Sequence, residues 1–222
     1  YPRDVKPILD HRCVVCHGCY DAPCQLKLES PQALDRGASK LVVFDGARLA
    51  PMAPTRMRVD AGSTAGWREK GFYPVLNERR ESPEANRDNA LLARFLQLKQ
   101  QHPLPSSGRL ADDFDFDLNR SLECPRPGEF DDFARRHPGW GMPYGFPGLT
   151  PREHRTLSDW IAQGARYPEP SPLPEPARAA ARRWEDFMNA DGLKSRLVAR
   201  YVYEHLFMGH LHIQDQPPGT YF

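Results

Sequence analysis

The stretch Cys13-Val14-Val15-Cys16-His17 carries the most specific chemistry in this chain. Two thiols separated by two residues, with an imidazole directly after the second, is the spacing that attaches a c-type haem. Each sulfur adds across a vinyl group of the porphyrin, and the histidine is then placed under the iron as an axial ligand. Two other readings share these residues. A tetrahedral zinc site could be drawn from Cys13, Cys16, Cys19, Cys24 or His17. A redox-active C-x-x-C would need a βαβ context, which the neighbouring residues do not supply.

A haem iron has a second axial position, and Gly141-Met142-Pro143 is the stretch best suited to fill it. The residue before a proline is pushed away from helical geometry, so Met142 is presented from an extended loop. Met52, Met57, His102 and His137 are its rivals. The remaining histidines, His11, His154, His205, His210 and His212, read as ordinary packed or surface side chains.

These groups need elements to hold them. Val5, Ile8, Leu9 and Arg12 recur at helical spacing, with Pro7 in the first turn, so a helix over residues 4–12 delivers the motif. Leu26 to Leu28 alternates like a short strand, Ser30-Pro31 opens a brief helix that Gly37 closes, and Leu41 to Phe44 reads as a strand entering a turn. Residues 47–60 lack a period and are assigned to loop. Further helices are expected over Thr64–Lys70, Asn89–Gln100 and Glu129–Arg136, with the acidic run Asp112–Asp117 as a solvated edge. Thr150-Pro151-Arg152-Glu153 is a capping box with proline at the first helical position. The helix it starts aligns His154, Leu157, Trp160 and Ile161 on one face and ends at Gly164.

Helix, haem motif, inserted material, methionine loop and closing helix form a layout that resembles a cytochrome c fold. The expected class is mainly α: a haem domain over residues 1–167 with an insertion at about 25–125, a proline-rich linker at 168–176, and a helical appendage at 177–222. Within the appendage, helices are expected over 177–189 and from Leu193 to about His212. The second turns apolar nearly all round from Tyr201 to Ile213, so it should be buried.

Composition narrows the partners. Thirty Lys and Arg against 29 Asp and Glu leave no basic excess to draw the chain onto nucleic acid. No apolar run of about 18 residues occurs, so no transmembrane span is expected. The first residues lead straight into a helical segment, and covalent haem attachment takes place on the outer face of the bacterial inner membrane. The chain therefore reads as a processed periplasmic protein. In that oxidising compartment Cys19, Cys24 and Cys124 can supply one disulfide. Cys24 with Cys124 would close a long loop and Cys19 with Cys24 a short one; the spacing leaves the pairing open.

Three segments carry a closer likeness. Residues 13–25 (CVVCHGCYDAPCQ), 141–149 (GMPYGFPGL) and 201–207 (YVYEHLF) resemble the bacterial fatty acid cis/trans isomerase family. The resemblance implies a periplasmic haem enzyme that converts cis double bonds in membrane phospholipid acyl chains to trans. It implies Cys13, Cys16 and His17 as the haem-attachment residues. Family members continue past the end of this chain, so the resemblance further implies that the remainder of a longer chain completes the substrate site. Apart from the resemblance, Glu204, His205 and His210 on the late helix could contribute, but core packing or a helix surface accounts better for each. The trans alkene is the more stable isomer, so only the barrier to rotation must fall and no ATP or reductant is needed. Axial ligation moves haem potential over only about 0.8 V, so the double bond must come close to the iron or the porphyrin edge. An electron-transfer cytochrome with no substrate of its own is the contrasting reading.

Overall fold

A computed structural model describes the chain except at residues 19–21, 46, 47, 50–54, 58, 80, 106–108, 113, 118, 119, 121, 169–172 and 207–222; at 44, 45, 48 and 49 it describes the backbone alone. Helices dominate. The chain divides into two compact units, Tyr1–Pro168 and Glu169–Phe222.

Helix α1 (Lys6–Arg12) has proline in its first turn and ends at Cys13, whose backbone amide still bonds the Leu9 carbonyl at 2.9 Å. A change of direction at Cys13 starts the one-turn α2 (Val14–His17). Gly18 follows because a side chain there would stand 2.8 Å from the Val14 carbonyl oxygen. Helix α3 (Pro31–Arg36) is capped by the Ser30 hydroxyl and closed by Gly37 at φ 79°. A Cβ at Gly37 would meet the Tyr73 carbonyl oxygen at 2.1 Å, so the chain needs glycine to let residues 38 and 73 pair. Two-residue strands β1 (Phe44–Asp45) and β2 (Arg48–Leu49) form a small antiparallel ladder.

Helices α4 (Thr64–Glu69), α5 (Pro83–Asn89) and α6 (Leu91–Gln101) come next, α4 and α5 each opened by a serine cap. Helix α7 (Phe130–Arg136) precedes the methionine loop, and α8 (Pro151–Ala162) follows it with the expected capping box formed in both directions. Replacing Thr150 by alanine removes one side of that box and should cost about 1 kcal/mol, read as a lowered denaturant midpoint.

One core joins these helices. Val5 at the N-cap of α1 and Leu9 within it, Leu91, Leu92 and Leu96 of α6, Phe130 and Phe133 of α7, and Leu157, Trp160 and Ile161 of α8 are buried together. Helix α6 thus belongs to the same core as the first and last helices, although its sequence lies within the stretch read as an insertion. Tyr1 packs on Trp160 near the end of α8, while Arg12 pairs with Glu153 near its start. Each end of α8 is thus met by the N-terminal segment, through Tyr1 ahead of α1 and through Arg12, the last residue of α1. Helix α5 is added by Asn86, which donates to the Ala162 carbonyl at 3.0 Å and accepts from Asn77 at 2.8 Å.

Three expectations are corrected. Leu26–Leu28 is not a strand: its backbone pairs with the haem-motif segment, where Leu28 N–H meets the His17 carbonyl at 2.8 Å. The expected strand at 41–44 starts only at Phe44, with Leu41 and Val42 more than half exposed. The helix expected from Asn89 begins at Leu91, because Ala90 adopts an extended conformation and separates it from α5, which sequence reading missed.

In the second unit, α9 (Glu175–Met188) and α10 (Leu193–Leu206) form a helical pair. Helix α9 starts at Glu175, with Pro176 in its first turn, so the last residues of the expected linker are helical. Tyr201 and Tyr203 are exposed within this unit, and most of the segment expected to be apolar all round lies outside the described residues.

Candidate functional site

The motif's imidazole is held in one tautomer by the fold. His17 is buried, and its Nδ1 lies 2.9 Å from the Leu26 carbonyl oxygen. A carbonyl only accepts, so Nδ1 carries the hydrogen and Nε2 keeps its lone pair. Burial lowers the His17 pKa, partly offset by the bond to Leu26, and keeps the ring neutral. A neutral imidazole whose far nitrogen is anchored on a backbone carbonyl is the arrangement of a metal-ligating histidine with its supporting partner. The segment misread as a strand is what supplies that carbonyl.

Two thiols precede this ring in the chain. Cys13 is half-buried and packs against the core, and burial pushes its pKa up to about 11, against the lowering effect of Arg12. Cys16 is exposed, and Val15 between them is 71% exposed. Both sulfurs are free. Cys24 is bonded to Cys124 across 100 residues, which answers the pairing that spacing left open. Cys19 lies outside the described residues. With Cys24 consumed, the zinc reading loses one of its donors. Among the described residues no group of three His, Cys, Asp or Glu side chains is placed to hold a metal ion.

Met142 sits in a loop seated on α6. Its amide donates to the Phe95 carbonyl at 3.2 Å, and a Cβ on Gly141 would come within 2.3 Å of the Lys99 backbone nitrogen. The loop can lie this close only because residue 141 is glycine. Met142 itself is half-buried, and the Met142–Pro143 peptide is cis. Arg12, the residue before Cys13, donates to the Gly148 carbonyl at 2.8 Å and to the Pro147 carbonyl at 3.4 Å. That contact ties the motif to the methionine loop. Sequence reading placed Arg12 on α1 but assigned it no role; a guanidinium looks the same in sequence whether it meets water or a carbonyl.

The rival ligands are less well placed. The His137 ring stacks on Trp140 with centroids 4.1 Å apart, and its Nε2 is engaged by Glu123 at 2.7 Å. His102 is exposed at the end of α6. Met57 pairs through its backbone with Ala61, and Met52 lies outside the described residues. On α10, Glu204 is exposed and bonded to Arg200, and His205 is exposed and packs on Tyr201; His210 lies outside the described residues.

One family matches the sequence, Fatty acid cis/trans isomerase (CTI), over residues 52–222. The chain belongs to the fatty acid cis/trans isomerase family. No curated protein and no solved structure matches it. Within this isomerase-family chain the matched region contains Met142 and its loop, α6 to α10, and Cys124, and begins after Cys13, Cys16 and His17. The family thus points to isomerisation of fatty acyl double bonds. The attachment motif stands on its own residues and on the His17 geometry. Among the described residues no helix is long and apolar enough to cross a membrane.

Proposed function

We propose that this chain binds one haem c covalently through Cys13 and Cys16, with His17 and Met142 as axial ligands, and serves the cis-to-trans isomerisation of unsaturated acyl chains in membrane phospholipids in the periplasm. The observation that carries the haem assignment is the Nδ1 hydrogen bond of His17, which leaves a neutral Nε2 in a segment that also holds two free thiols. The residues fit the group. Two reduced sulfurs are available for thioether formation, and the imidazole is fixed in the donating tautomer. A half-buried thioether approaches in a loop that Arg12 ties to the motif. The core that Leu9 of α1 shares with Leu157, Trp160 and Ile161 of α8 supports the cytochrome c-like reading of this unit. When bound, the haem supplies an electron-poor iron and porphyrin that draw density from a nearby double bond and lower its barrier to rotation.

Each protein group has a part in that arrangement. Cys13 and Cys16 would hold the cofactor, and the Leu26 carbonyl fixes the tautomer of His17. Gly141 and the Phe95 carbonyl set where the Met142 sulfur stands. Exposed Val15 lies between the two anchoring sulfurs and gives the site an apolar rim suited to an acyl chain. The family match favours the enzyme over the electron carrier, which would have no use for an acyl substrate.

The decisive experiment incubates the protein with vesicles of cis-unsaturated phospholipid and measures trans chains by gas chromatography of the released fatty acids. Trans product that fails to appear when the haem motif is removed supports the proposal. Equal product from the motif-free protein overturns its haem dependence, and no product from haem-loaded protein favours the carrier reading. Gly141→Ala tests the loop. The added methyl cannot fit against α6, so Met142 should move and the weak red absorption band of methionine-bound ferric haem should be lost, while covalent haem content stays unchanged.

A further inference from the structure

Lys99 is the least expected side chain of α6. It is 1% exposed, and its Nζ has no hydrogen-bond partner. Among the described residues no carboxylate pairs with it, and burial alone pulls its pKa down to about 8. Burying a cation without a counter-charge costs several kcal/mol, and an anion placed beside it would offset part of that cost. Its location indicates what that is. The Lys99 backbone lies under Gly141, next to Met142, and its Cγ is 3.6 Å from where a Cβ on Gly148 would stand. The Gly148 carbonyl accepts from Arg12, the neighbour of Cys13. Lys99 therefore runs beneath the methionine loop, on the side that the loop shares with the attachment motif.

We infer that the Lys99 ammonium is the protein's counter-charge and hydrogen-bond donor for a propionate carboxylate of the haem. The inference rests on the haem assignment above. It explains why a lysine in the core has no partner among the described residues, since the porphyrin would bring the missing anion. An N–H donor on a carboxylate is stronger than a neutral pair, and it would order this edge of the cofactor beneath the loop that carries Met142. Lys99 is a positioning residue in this role, because it touches the cofactor's side group and not the reacting atoms.

The test uses haem-loaded protein carrying Lys99→Met or Lys99→Arg. Methionine matches the lysine stem in size and removes a buried charge, so the fold should survive it. Resonance Raman should show the propionate bending mode shifted in Lys99→Met and near its wild-type position in Lys99→Arg. The reduction potential should fall in Lys99→Met, because a propionate stripped of its cation stabilises ferric iron, and should stay close to wild type in Lys99→Arg. Wild-type protein that carries no haem would remove the attachment assignment and this inference together. Haem-loaded Lys99→Met with an unshifted propionate mode and an unchanged potential would overturn the inference alone.

Discussion

A chain carrying both Cys13→Ser and Cys16→Ser is expected to retain no covalent haem when matured in a host that attaches it to the wild type. Acid extraction followed by a haemochrome assay reads the result directly. Wild-type haem should stay with the polypeptide and the variant's should be absent. The expected effect is complete loss, because an ether through serine oxygen does not replace the thiolate addition that makes each tether. The structure sharpens the expectation, since Cys24 and Cys124 are already spent on each other. Among the described residues the free thiols are those at 13 and 16, in the same segment as His17 with its free Nε2. Covalent haem surviving in the double variant would refute the assignment. His17→Ala completes the set: the tethers remain, but the iron loses its axial imidazole, and the visible spectrum should change from six-coordinate low-spin to high-spin.

Removing the Cys24–Cys124 bond has the second-largest expected effect, and on stability. It joins residues 100 apart. In the chain-entropy account a cross-link of that span restricts the unfolded state by about 4.7 kcal/mol, and losses of about 2–5 kcal/mol are usual for native disulfides. A Cys24→Ala, Cys124→Ala variant should therefore unfold at much lower denaturant. It should also loosen the site. Leu26, whose carbonyl orients His17, is two residues from Cys24. The flanking backbone is held on both sides, with the Cys24 carbonyl accepting from Ser39 and the Cys124 carbonyl from the Tyr73 hydroxyl. Denaturant melts monitored together by far-ultraviolet dichroism and by haem absorption check both consequences. A midpoint within about 0.5 kcal/mol of wild type would contradict the assignment of this bond as the main staple, since surface changes alone have effects of that size.

How much of this could be read from sequence depended on how local the cause was. The serine and threonine caps at Ser30 and Thr150 and the glycine stop at Gly37 are each set by a few adjacent residues, and the structure forms all of them. Helix α5 could have been found by the same means. Ser82-Pro83-Glu84 is a cap followed by a favourable first turn, but the helix buries Asn86 where an apolar periodicity was sought. Leu26–Leu28 failed for the opposite reason. Alternation describes a chain that can pair but not with what, and its partner proved to be the haem motif.

Chemistry was legible from residue types and order alone: two thiols and an imidazole at fixed spacing, a methionine released from helix by proline, and a family likeness that the match over residues 52–222 bears out. Only the tertiary structure decided which cysteines bond, which nitrogen of His17 is free, and that Lys99 lies beneath the methionine loop without a partner. The physical reason is range. Caps, turns and attachment motifs are satisfied within one turn of chain, whereas a disulfide, a ring tautomer and a buried charge are set by atoms that folding brings from beyond that range, nine residues for His17 and 100 for the disulfide.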